Sequence, residues 1–163
     1  MSLFSQPFEA LEAGQRFTTR GRTVTESDVV AFAGLTGDYH PQHTDAEWAG
    51  TSAFGERVAH GLLVLGIAAG LVPFDPERVI ALRRVRDSVF KRPVHLGDTI
   101  RVEGRVAELK AMDDNAGLVA VALTVTGAGG RTVARIVVEV LWKCDGAAVD
   151  YEDPTDALTC VPL

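Results

Sequence analysis

Residues 61–73 (GLLVLGIAAGLVP) carry no charged or polar side chain, and this run constrains the fold more than any other segment. It is too short to cross a bilayer, which takes roughly 20 residues, so protein must cover it. It reads as a helix over 61–72 that is apolar all round and therefore wrapped by other structure. Downstream the pattern turns to β. Residues 79–91 read as a strand, with a turn at Pro93 and Gly97-Asp98. Residues 99–109 alternate Ile100, Val102, Gly104 and Val106 against Arg101, Glu103 and Arg105. Two more runs, 118–126 and 132–142, follow short Asp/Asn and Gly loops, which predicts an antiparallel meander. Upstream, residues 15–23 read as a short strand. Thr25 then caps a helix that ends at Gly37, and Asp45 caps a short one through Ala49. The order predicts an α+β fold in which an antiparallel sheet curls around one central apolar helix.

A chain of 163 residues with 47% apolar content is expected to form one domain with a real core. We place that domain at 1–143 and an irregular acidic tail at 144–163. A net charge of −6 argues against nucleic acid as a partner, because phosphate binding needs a basic surface. Nothing in the sequence suggests a membrane partner. The first residues, MSLFSQPFEALEAG, lack the basic start and apolar stretch of a secretion signal. Cys144 and Cys160 have no metal-site spacing and read as free thiols. The expected location is the cytoplasm.

Chemistry is concentrated between residues 37 and 62, where Asp38, His40, His43, Asp45 and His60 fall together. Asp38 and His43 flank Pro41. A proline biases His40 toward extended backbone and cannot sit inside a regular helix, so an ordered turn should aim Asp38 and His43 at one point. A carboxylate and an imidazole on one water are general acid–base equipment; the same two residue types can also serve as a turn-capping pair. The start of the apolar helix lies next in sequence, with free N–H groups suited to a developing oxyanion. A zinc reading of His40, His43, Asp45 and His60 is disfavoured, since Pro41 breaks any helix that would align the histidines and no cysteine is near. We expect no metal. His60 reads as a structural hydrogen-bonding residue, and Trp48 and Phe54 as a pocket wall or a core anchor.

The stretches TGDYHPQHTD (36–45), AFGERVAHGLL (53–63) and VFKRPVHLGDTI (89–100) resemble the MaoC-like dehydratases, which include the R-specific enoyl-CoA hydratases and have the hotdog fold. The resemblance covers about residues 10–143. It implies that Asp38 and His43 are the catalytic pair and that Gly61 offers its backbone N–H to a thioester carbonyl. It implies a place in fatty-acid metabolism, an acyl-CoA or acyl-carrier thioester as substrate, no cofactor, and a homodimer or higher even oligomer. Two positions depart from the pattern. His40 stands where many members have Asn, and Ala69 stands near the position of a helix serine; both are candidate pocket residues. The basic cluster Arg84, Arg86, Lys91 and Arg92 is a candidate for phosphate contacts, with a solvated sheet face as the alternative.

The expected activity is addition of water to a trans-2-enoyl thioester, or the reverse. A hotdog acyl-CoA thioesterase and a non-catalytic acyl-thioester-binding protein are the alternatives.

Overall fold

The computed structural model describes residues 3–145. Short strands β1 (Arg16–Thr18) and β2 (Arg22–Thr23) precede helix α1 (Glu26–Thr36), the one-turn α2 (Pro41–Thr44), α3 (Ala46–Thr51) and the apolar helix α4 (Gly61–Leu71). Four long strands follow: β3 (Val79–Phe90), β4 (Thr99–Ala111), β5 (Ala116–Thr126) and β6 (Thr132–Lys143). The sheet is antiparallel throughout, in the order β1-β4-β5-β6-β3, with β2 also on β4. This is the expected α+β hotdog architecture. Of the tail expected at 144–163, residues 146–163, including Cys160, lie outside the described residues; Cys144 is a buried free thiol.

Local chemistry accounts for the helix ends. Thr25 accepts the Asp28 N–H while the Asp28 carboxylate accepts the Thr25 N–H, a reciprocal capping box. Gly37 closes α1 in the left-handed conformation at φ 75°, which glycine adopts without a Cβ penalty. The meander β4-β5-β6 forms as read. In β4, Ile100, Val102, Gly104 and Val106 face inward and Arg101, Glu103 and Arg105 outward, the period-two alternation of a strand with one covered face. Val102, Val119, Leu123, Ile136 and Val138 are fully buried and form the floor on which Val64 and Ala68 of α4 rest. Each such aliphatic side chain stabilises the fold by about 1.5–3 kcal/mol through burial. At one end, Phe4 and Phe74 pack on Trp142, whose indole N–H donates to the Gln6 carbonyl. Phe17 lies over Gly104, where a Cβ would sit 2.0 Å from the ring.

Three features go beyond or against the sequence reading. Residues 15–23 form two short strands, both on β4. Strand β3 pairs with β6 and not with its sequence neighbour β4, so it ends the sheet. Helix α4 is covered on one side only: Val64 and Ala68 are buried, whereas Leu62 is 64% exposed and Gly66 and Gly70 face outward. An apolar helix inside a single sheet has only one sheet to lie on.

Candidate active site

Asp38 follows the left-handed Gly37 and takes its backbone from that turn. Its N–H donates to Thr36 Oγ1, and its Oδ1 accepts the His40 N–H. Pro41 then starts a helix where the sequence reading has it breaking one. It occupies the first helical position of α2, where a missing N–H costs nothing and the fixed φ suits the helix. The single turn that results carries His43 inward, to 4% exposure. His40 caps this turn, its Nδ1 accepting the Gln42 N–H at 3.2 Å. Trp48 packs edge-on against His40, with centroids 5.5 Å apart. Asp45 caps α3 through the Trp48 N–H.

His43 Nδ1 lies 2.7 Å from the Val58 carbonyl oxygen. A carbonyl only accepts, so Nδ1 carries the proton and a neutral ring keeps its lone pair on Nε2. Gln42 Nε2 is 3.0 Å from that nitrogen. By the same reasoning His60 Nε2 donates to the Asp38 backbone carbonyl, at 3.0 Å. His60 Nδ1 is buried without a hydrogen-bond partner among the described residues. Burial is the main influence on His43 and pushes it below the ordinary imidazole value. The Val58 carbonyl pulls the other way, His60 pushes further down, Asp38 raises it and His40 lowers it.

These groups open onto a cavity of about 500 Å³. Asp38, Gln42, His43 and His60 stand on one side of it, and Gly61, Leu62 and Val64 of α4 on another. Phe32, Phe54, Phe90 and Val133 supply apolar walls, and Lys91 and Arg92 lie at the end of β3. His60, at the N-cap of α4, makes no side-chain hydrogen bond to the first turn. The leading N–H groups of α4, Gly61 among them, are therefore a positive pole beside Asp38 and His43. The Phe90 ring packs 3.2 Å from where a Cβ on Gly61 would sit. Asp38, His43 and His60 each bring one ligand atom within 4.8 Å of the others. Two donors on one tetrahedral zinc would stand about 3.4 Å apart, so a cation there would need the side chains to draw in.

The candidate residues thus divide. Asp38, His43, His60, Gly61, Phe54, Lys91 and Arg92 meet at one cavity, while His40 and Trp48 stand behind it and hold α2. Ala69 does not line the cavity; eight residues along α4 is about 12 Å from Gly61. Arg84 and Arg86 are also elsewhere. Arg86 bonds Glu139 at 2.6 Å, Asp87 at 2.8 Å and Glu108 at 3.0 Å, and Arg84 approaches Glu139 at 3.6 Å. Glu139 is buried on β6, and a buried carboxylate needs such partners. Register shifts in β3, one of them at Asp87 with φ 53°, interrupt the simple period-two alternation of side chains along the strand that carries these arginines. Gln42 and Phe90 were missed as site residues. Gln42's position next to His43 in the sequence was the available signal, and Phe90 lies inside the quoted VFKRPV stretch.

A family model described as "MaoC like domain" matches residues 8–128. Protein MaoC of Klebsiella aerogenes is 43% identical over 100 residues, 61% of this chain; the match spans only 30% of that longer protein. The (R)-specific enoyl-CoA hydratase of Rhodospirillum rubrum is 35% identical over 107 residues, covering 63% of this chain and 74% of the relative. Among solved structures, the monoamine oxidase regulatory protein from Archaeoglobus fulgius superposes with a TM-score of 0.80 at 37% identity, over 85% of this chain and 95% of that one. The model match takes in the loop with Asp38 and His43, the first turn of α4 and the end of β3, and it establishes that the chain belongs to the MaoC-like dehydratase family.

Proposed function

We propose that this chain is an acyl-thioester hydratase and dehydratase, adding water to a trans-2-enoyl-CoA or related enoyl thioester and removing it in reverse. The observation that carries this reading is the convergence of the Asp38 carboxylate and the His43 imidazole beside the first turn of α4 in one apolar cavity. A water held by the pair adds its oxygen to the β-carbon. The C=C electron pair moves toward the thioester carbonyl, and the charge that builds on that oxygen faces the Gly61 N–H and the helix dipole. One water proton passes to the Asp38–His43 pair and is returned to the α-carbon, so the pair ends as it began. The scheme needs no metal or redox cofactor. In this reading Lys91 and Arg92, at the cavity and on the surface, meet the phosphates of the carrier.

The working unit in this reading is a homodimer or a higher even assembly. Strand β3 ends the sheet with Leu82, Val85, Val89 and Phe90 exposed, and an open edge of this kind is usually paired or covered.

Mixing the protein with a panel of enoyl-CoA esters tests the activity. Loss of conjugated-thioester absorbance without free thiol is the expected result. Release of thiol would identify a thioesterase, and binding with unchanged absorbance would identify a non-catalytic acyl-thioester binder.

A further inference from the structure

Gln42 is the residue of this site whose placement most exceeds its apparent role. Its backbone is held at both ends: its N–H donates to His40 Nδ1, and its carbonyl accepts the Val58 N–H at 3.1 Å. The Val58 carbonyl in turn holds His43 Nδ1. The chain therefore closes a ring of hydrogen bonds around α2 that fixes where the Gln42 side chain begins. That side chain is half-buried, and its Nε2 lies 3.0 Å from His43 Nε2. Because Nδ1 already carries the ring proton, a neutral His43 can only accept at Nε2, and the carboxamide N–H is the donor. The lone pair that would take a proton is thus occupied by the carboxamide.

Resting on the hydratase reading above, we propose that Gln42 is a positioning residue whose carboxamide N–H holds His43 neutral at Nε2 and must leave that nitrogen for His43 to take a proton. A hydrogen bond made to the neutral form disfavours the charged one, so the carboxamide N–H on Nε2 works against protonation of a ring already tied to Val58 at Nδ1. Other charged or titratable groups face His43 from every side. Asp38 precedes α2, His40 caps it, His60 stacks on the ring from the start of α4, and Lys91 and Arg92 line the cavity from the end of β3. Among the described residues, the hydrogen bond at Nε2 comes from Gln42.

The test is the titration of the His43 ring nitrogens by ¹⁵N NMR in the resting full chain, in the wild type and in Gln42→Met and Gln42→Glu. Met keeps the bulk and removes the donor, so His43 should titrate about half a pH unit higher. Glu offers only acceptors and should raise it by about one unit or more. The acid limb of kcat/KM on an enoyl-CoA should move up in step. Unchanged titration in both variants overturns the proposal. A shift with Glu alone, with Met at the wild-type value, also overturns it, because proximity of a charge then suffices. Titration shifts in a protein that hydrates no enoyl thioester would leave the role of Gln42 standing and sink the hydratase reading instead.

Discussion

The rings of His43 and His60 stack with centroids 3.8 Å apart and planes 27° from parallel. Each ring has one nitrogen tied to a main-chain carbonyl, His43 to Val58 and His60 to Asp38. The second bond matters for the loop: His60 grips the backbone of the candidate catalytic carboxylate. The helix start, Asp38 and His43 are thereby one packed unit. Two imidazoles in contact cannot both be charged cheaply, and burial already disfavours the charged form of His43.

This sets a pH dependence. Folded His43 binds its proton less readily than an unfolded imidazole, which titrates near 6.5. Unfolding therefore takes up a proton in the window just below that value. The stability contribution is present above about pH 6.5 and is lost as pH falls through the folded value. Thermal melts between neutral and mildly acidic pH should show a falling melting temperature, with a shallower fall in His43→Gln. An identical slope in both proteins would contradict this account.

Asp38→Asn and His43→Ala should each lower turnover by two decades or more, within the about 10²–10⁴-fold range of general acid–base steps, while the far-ultraviolet dichroism is retained. A folded variant of either kind that hydrates at the wild-type rate would remove the chemistry from this loop.

Gly104→Ala should destabilise the chain without touching the site. The added methyl would meet the Phe17 ring at 2.0–2.7 Å, and overpacking of this kind costs about 1–3 kcal/mol. Denaturant titration checks it, and Gly104→Ala combined with Phe17→Leu should recover part of the loss. An unchanged unfolding midpoint in the single variant would show that the ring moves aside freely.

Leu82→Arg with Val85→Lys should give a monomer in light scattering at micromolar concentration where the wild type is dimeric or larger. Both residues are exposed on β3, at 60% and 41%. Retention of the wild-type mass would place any assembly surface elsewhere.

Ala69→Ser should leave kcat and KM as they are, because Ala69 lies outside the lining of the cavity. A change in substrate preference would mean that the cavity extends along α4 when an acyl chain enters.

Much of this was legible in the chain. The Thr25 cap, the Gly37 stop and the β4-β5-β6 meander rest on local chemistry, and the three family stretches marked Asp38, His43 and Gly61. What was not legible depends on contacts between residues far apart in sequence. The pairing of β3 with β6 joins Arg84 to Glu139 across the sheet, and nothing near Arg84 or Arg86 in sequence announces a buried carboxylate on another strand. The register shifts in β3 are likewise set by its partner. Pro41 was misread for a different reason: the rule that proline breaks helices applies to interiors, and only the fold shows that Pro41 sits at a first position. Gln42 escaped because adjacent residues on a helix rarely face each other, a rule that a single turn does not obey.

Strand β3 ends in Phe90, and the chain passes directly into Lys91 and Arg92, so the last strand of the sheet runs straight into a wall of the cavity. A second copy docked along that strand would lie beside the cavity. Under the proposed function, catalysis and assembly would then share one piece of backbone, and specific activity should depend on protein concentration, falling on dilution before any loss of secondary structure.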